Sequence, residues 1–304
     1  MPPIIPRRSL RISIVLLAVI ILLAAIILAA CANTPIPEPA TATPTQVPIP
    51  TITTTSTPDE GTTPAVVCAQ THGTIQQSTL TAKMLKYPLK VNVYLPPCYD
   101  PIKVLAYPVL YMLHGMTDTN QQWIDLGLTD TADQLISGKT IQPLIIVMPN
   151  EDSWQLLPEQ SGYEDAIVTL LIPWVEEHYS ACPERECRAI GGLSRGGNWA
   201  VRIGLDHWQL FAAIGAHSTP LFSGGISWLN QAVKDMPSVK DAPAMYVDVG
   251  NKDENLKQVT EFEKTLTELN VVHEFHQNTG YHEAAYWSVH MEEYLVWYAS
   301  VLQN

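Results

Sequence analysis

Positive charge is scarce in this sequence: 17 Lys and Arg stand against 30 Asp and Glu, a formal net charge of −13 over 304 residues. The deficit deepens past the N-terminus. Residues 1–30 hold three of the arginines and no acid, so the remainder carries 14 basic against 30 acidic side chains, a net charge of −16. Such a surface repels a phosphate backbone over a screening length of about 8–10 Å, and no nucleic-acid partner is expected. Cysteine is also sparse, five in all, with no paired CxxC and no histidine close to both Cys68/Cys98 and Cys182/Cys187. Zinc has no ligand set of the usual spacing, and no metal site is expected. No internal repeat is evident, so nothing suggests a solenoid.

What is present starts with a long apolar run. Arg7, Arg8 and Arg11 precede ISIVLLAVIILLAAIILAA, nineteen residues from Ile12 to Ala30 without a charge. That length exceeds a usual signal h-region and suffices to cross a bilayer core of about 30 Å. The following Leu28-Ala29-Ala30-Cys31 looks like the lipobox of bacterial lipoproteins, which makes Cys31 a lipidation candidate. Residues 1–31 are therefore expected to be a signal, lipoprotein or membrane-anchor segment. A lipid anchor and an uncleaved anchor differ in attachment but not in side, because the basic cluster holds the N-terminus inside. Both readings place the rest outside the cytoplasm, at the cell surface or in the periplasm, with the membrane as a partner through the N-terminal anchor.

Residues 32–65 are rich in Pro and Thr and nearly free of large apolar side chains. They cannot bury a core and read as an extended linker, a spacer from the membrane. Residues 66–304 are long enough for one sizeable domain. An even number of cysteines in an exported domain suggests two disulfides, for which we favour Cys182 with Cys187 and Cys68 with Cys98. Short apolar runs read as buried strands: LKVNVYL, PVLYML, PLIIVMP, CRAIGGL, FAAIGAH and PAMYVDVG. Between them lie segments of helical spacing, such as YEDAIVTLLIPWVEEHY and NLKQVTEFEKTLTELN. The alternation predicts a mostly parallel, doubly wound α/β sheet with helices on both faces, with its early strands antiparallel.

One stretch carries chemistry. AIGGLSRGG contains Gly192-x-Ser194-x-Gly196, and it follows the apolar run RAIGGL and precedes the helical NWAVRIGLDHW. Ser194 thus falls on a strand-to-helix turn, where the two glycines let strand and helix approach and the N–H of Arg195 faces developing negative charge. A serine nucleophile in this setting needs an acid and then a histidine later in the chain. Asp253, in the loop after the run ending at Gly250, is preferred over Asp248, which alternates with Met245, Val247 and Val249 inside a strand. His282 lies in a loop leading to the last helix. His273 and His276, three apart in a strand, should face opposite ways and not share a metal. Upstream, LYMLHGM ends an apolar strand and offers the N–H of Met116 as a second oxyanion donor. Trp123, Trp154 and Trp199 lie near these loops and are candidates for lining a pocket.

Together these segments resemble the esterase D and enterochelin esterase-like family of α/β-hydrolases. VNVYLPPCYD, YPVLYMLHG, GGLSRGG, VGNKDEN and GYHEAAYW occur in the family's order from about Gly73 to the C-terminus. The resemblance implies an α/β-hydrolase fold and a catalytic set of Ser194, Asp253 and His282, with Met116 and Arg195 as backbone oxyanion donors. It further implies hydrolysis of a small-molecule or glycan-linked carboxylic ester without a cofactor. The alternatives are an acyltransferase with the same triad and a non-catalytic surface binding protein. The family often has Met where Arg195 stands, and small residues where His217 and Ser218 stand.

Overall fold

The computed structural model describes residues 68–102 and 106–302. The expected anchor at residues 1–31 with Cys31, and the linker at 32–65, lie outside the described residues. Among the described residues, no helix is long and apolar enough to cross a membrane.

The predicted strands all form. They are β2 (Leu89–Leu95), β3 (Val109–Leu113), β4 (Ile145–Pro149), β5 (Arg188–Leu193), β6 (Ala213–His217) and β7 (Ala244–Gly250), joined by β8 (His273–Asn278). An eighth strand, β1 (Thr74–Leu80), pairs antiparallel with β2 from Thr74↔Leu95 to Leu80↔Leu89. Its sequence, TIQQSTL, carries no apolar run. It sits at the sheet edge, mostly exposed, held by backbone pairing rather than by buried side chains.

The sheet order is β1-β2-β4-β3-β5-β6-β7-β8. Strand β2 is antiparallel to β4, and all pairings from β4 to β8 are parallel. The chain moves outward from β3 to β4 and returns to the other side at β5. The crevice beyond the C-terminal ends of β3 and β5 is therefore the switch point, where open α/β sheets bind ligands.

Ten helices complete the described chain: α1 (Gln122–Asp125), α2 (Leu128–Ser137), α3 (Pro158–Ser161), α4 (Tyr163–Ala166), α5 (Ile172–His178), α6 (Arg195–Asp206), α7 (Gly225–Asp235), α8 (Leu256–Glu268), α9 (Ala284–Val289) and α10 (Met291–Val301). A wide turn at Ile167–Leu171 joins α4 to α5 just before Pro173, which has no N–H to continue the ladder. Alternation along the strands builds two cores. Val109, Tyr111 and Leu113 face α4 to α8, with Trp199, Leu229 and Phe262. Leu110 and Met112 face α1, α2, α9 and α10, with Trp123, Leu128, Tyr294 and Tyr298. Burial on both faces explains why the parallel strands read as continuous apolar runs.

Both expected disulfides are present. Cys68–Cys98 ties the segment before β1 to the turn after β2, and Cys182–Cys187 closes the loop before β5. Glu184 lies beside the second pair, but two sulfurs bonded to each other offer no thiolate for a metal.

Candidate active site

Strand β5 ends at Leu193 and α6 opens at Arg195, so Ser194 alone turns the chain. Its φ of 52° and ψ of −117° lie where side-chain-bearing residues rarely sit, at a cost of about 1–3 kcal/mol. The turn is held on both sides: the Ser194 N–H donates to the His217 carbonyl (2.8 Å), and the Asn198 N–H donates to the Ser194 carbonyl (3.0 Å). A Cβ on Gly192 would lie 2.4 Å from the Gly196 carbonyl carbon, and one on Gly196 would lie 2.2 Å from the Leu113 carbonyl oxygen. Neither obstacle is a flexible side chain. Helix α6 can therefore approach β3 and β5 only with glycine at both positions.

The histidine and the acid arrive from the far side of the sheet. Asp253 follows β7, His282 follows β8, and His282 Nδ1 lies 2.9 Å from Asp253 Oδ2. The other carboxylate oxygen accepts the Asn255 N–H at 2.7 Å. Burial raises the Asp253 pKa, but the hydrogen bonds from His282 and Asn255 outweigh it and leave the carboxyl below its ordinary range. Asp248 takes a different role. It is fully buried in β7, where His217 Nδ1 (2.7 Å) and the hydroxyls of Tyr286 (2.7 Å) and Tyr294 (2.8 Å) converge on its carboxylate.

Ser194 and His282 line one cleft of about 510 Å³ with Gly115, Met116 and Arg195. Leu193, Leu221, Phe222 and Trp287 supply its apolar surface. The Met116 N–H donates to no acceptor among the described residues, and the Arg195 N–H opens a helix whose first turn has no carbonyl for it. The Arg195 side chain is held by a buried carboxylate. Its Nε and Nη2 each donate to a Glu151 oxygen at 2.7 Å, and its guanidinium packs over the rings of Phe222 and Trp199.

None of the three candidate tryptophans lines this cleft. Trp123 is fully buried and donates its ring N–H to the Leu113 carbonyl (3.0 Å), while Trp199 is buried beneath α6. Only Trp154 meets open space, in a second cleft of about 480 Å³ that shares Arg195, Asn198, Leu221 and Phe222 with the first. His273 and His276 also separate: one lies by Glu263 of α8 and the other against Tyr246 and Glu293 across the sheet. Sequence reading missed Glu151, Gln122, Asn255 and Trp287. Glu151 alone had a signal, an acid in the loop just past an apolar strand, but its partner is 44 residues away.

A strained serine between strand and helix at the switch point of a mostly parallel sheet, with a His–Asp pair after later strands, defines an α/β-hydrolase. The family model described as "Putative esterase" matches residues 82–303, and the chain belongs to that family. It is 30% identical over 192 residues to an endo-1,4-beta-xylanase/feruloyl esterase of Xylanibacter ruminicola, covering 60% of this chain and 25% of that protein. An esterase of Mycobacterium tuberculosis is 34% identical over 162 residues, 48% of this chain and 34% of that one. The chain thus spans a quarter to a third of the length of these curated relatives. Among solved structures, a ferulic acid esterase superposes with a TM-score of 0.68 at 28% identity, covering 76% of this chain and all of that one (100%).

Proposed function

We propose that this chain is a serine esterase that hydrolyses carboxylic esters through an acyl-enzyme, with Ser194, His282 and Asp253 as its triad. The observation that carries the reading is the His282–Asp253 pair, whose ring shares one cleft with a serine held in strained backbone geometry. Asp253 accepts from Nδ1, which leaves Nε2 as the nitrogen that takes the Ser194 proton. The serine oxygen attacks the ester carbonyl, and the N–H groups of Met116 and Arg195 hold the resulting oxyanion, each worth about 2.7–4 kcal/mol. His282 returns the proton to the leaving alkoxide. A water, deprotonated by the same imidazole, then releases the acid.

The substrate we infer is an uncharged ester with an aromatic or glycan-linked group. Both arginines of the paired clefts are already committed: Arg195 to Glu151, and Arg202 to Glu159 and Glu164. Neither is free to recruit an anionic substrate, while aromatic side chains line both clefts, Phe222 and Trp287 in one and Phe222, Trp154 and Trp228 in the other. The site of action we propose is outside the cytoplasm, which suits two disulfides and the basic-flanked apolar run.

The test is hydrolysis of a p-nitrophenyl ester panel, acetate and ferulate included. The parent should turn over and Ser194→Ala should lose at least about 10³-fold in kcat. A Ser194→Ala protein with parental activity contradicts the reading.

A further inference from the structure

The two proposed oxyanion donors sit on different elements, Met116 after β3 and Arg195 at the head of α6, and a hydrogen-bonded chain connects them. It starts at the Arg195 guanidinium, which grips both oxygens of Glu151 at 2.7 Å. The Glu151 carboxylate is almost entirely buried (3% exposed) and Arg195 nearly so (12%), so the fork is shielded from solvent. The chain continues through the Glu151 backbone, whose N–H donates to His114 Nε2 at 2.7 Å. His114 Nδ1 lies 2.7 Å from the Gly115 carbonyl. An N–H at one ring nitrogen and a carbonyl at the other fix the tautomer: Nε2 accepts and Nδ1 donates.

The last link sets a direction. The Gly115 carbonyl and the Met116 N–H belong to one peptide unit, and in a trans peptide they point opposite ways. Holding the carbonyl against the buried His114 therefore aims the Met116 N–H. The Asp118 N–H also reaches that carbonyl (3.3 Å), and Gln122 holds the preceding N–H of Gly115 at 2.7 Å. The peptide is thus pinned on the side away from the free donor.

We propose that Glu151 and His114, with the side chain of Arg195, are positioning residues that lock the spacing and orientation of the two oxyanion donors. The inference rests on the proposed serine esterase mechanism. None of the three side chains touches the reacting atoms. They act by joining β3, the end of β4 and the head of α6 into one frame, so that the hole is formed before the substrate arrives.

The experiment compares the parent with Glu151→Gln, Arg195→Lys, Arg195→Met and the double variant Glu151→Gln/Arg195→Met. For each we would measure kcat and KM on a p-nitrophenyl ester, the Ki of an aryl trifluoromethyl ketone, and the Ki of the product acid. The ketone accepts the serine oxygen and places its own oxyanion in the hole, whereas the acid reports only ground-state binding. Glu151→Gln and Arg195→Met should lower kcat about 10- to 100-fold. The ketone's Ki should rise in proportion, with KM and the acid's Ki within twofold of the parent. The double variant should be no worse than the poorer single one, because the residues act as one chain. Arg195→Lys keeps the charge against Glu151 and loses only the fork, so it should fold even where removing a charge lowers stability, and should lose about 3- to 10-fold in kcat. If kcat and ketone affinity stay within twofold of the parent in Arg195→Lys and every other folded variant, the proposal fails alone. An inactive parent overturns it together with the esterase reading.

Discussion

Asp253 keeps its negative charge in a buried place because donors converge on it, and in the proposed mechanism that charge orients the His282 ring. Asp253→Asn keeps the shape and removes the charge, so it should cost about 10³- to 10⁴-fold in kcat with little change in KM. Steady-state kinetics on a p-nitrophenyl ester checks this. Gly196 is constrained from the opposite direction, since an added methyl meets the backbone carbonyls of Leu113 and His114. Gly196→Ala should lower the melting temperature and abolish turnover together, as α6 is pushed off β3. The residues of the proposed triad and the two glycines beside Ser194 could be picked out in the sequence because each belongs to an element end and a chain order. Glu151 could not, since its role exists only where β4 and α6 meet. Trp123 and Trp199 are pocket candidates by nearness in sequence alone, but a large ring beside a loop is as easily turned inward to fill the core, where both lie.

At the scale of elements, the buried parallel strands were readable from apolar runs alone, and β1 was not, because an exposed edge strand needs no apolar face. Loops are harder still. The segment after β6 shapes the cleft with Leu221 and Phe222, and a single α6 side chain fastens it: Asn198 Nδ2 donates to the Pro220 carbonyl, while Oδ1 accepts the Phe222 N–H at 2.8 Å. Asn198→Ala frees both ends of that clamp. The expected result is a KM raised about five- to tenfold with kcat changed less, which kinetics on a bulky aryl ester against the acetate would reveal.

The whole molecule responds to acid through the same frame that organises the site. Burial pushes the His114 pKa below its ordinary value, despite the Gly115 carbonyl and the nearby carboxylates of Glu151, Asp118 and Asp152. A histidine depressed in the folded state contributes stability above an unfolded pKa of about 6.5, lost as pH falls below that toward the folded value. His207 has the opposite sign, since its hydrogen bond to Glu164 raises it. Its contribution is complete below about 6.5 and fades as pH rises through the raised value. The melting temperature should therefore fall on acidification below about pH 6.5, and His114→Gln should flatten that slope. The Cys68–Cys98 bond closes a separation of 30 residues, and replacing both by Ser should lower unfolding free energy by about 3–4 kcal/mol in a denaturant titration.

In the proposed reaction Ser194 carries the acyl group. The most direct measurement is peptide mass analysis after rapid acid quench of the protein mixed with a p-nitrophenyl ester. One acyl mass is expected on the peptide containing Ser194, formed together with the burst of p-nitrophenol and absent from Ser194→Ala. Acylation at another residue, with hydrolysis undiminished in Ser194→Ala, would contradict it.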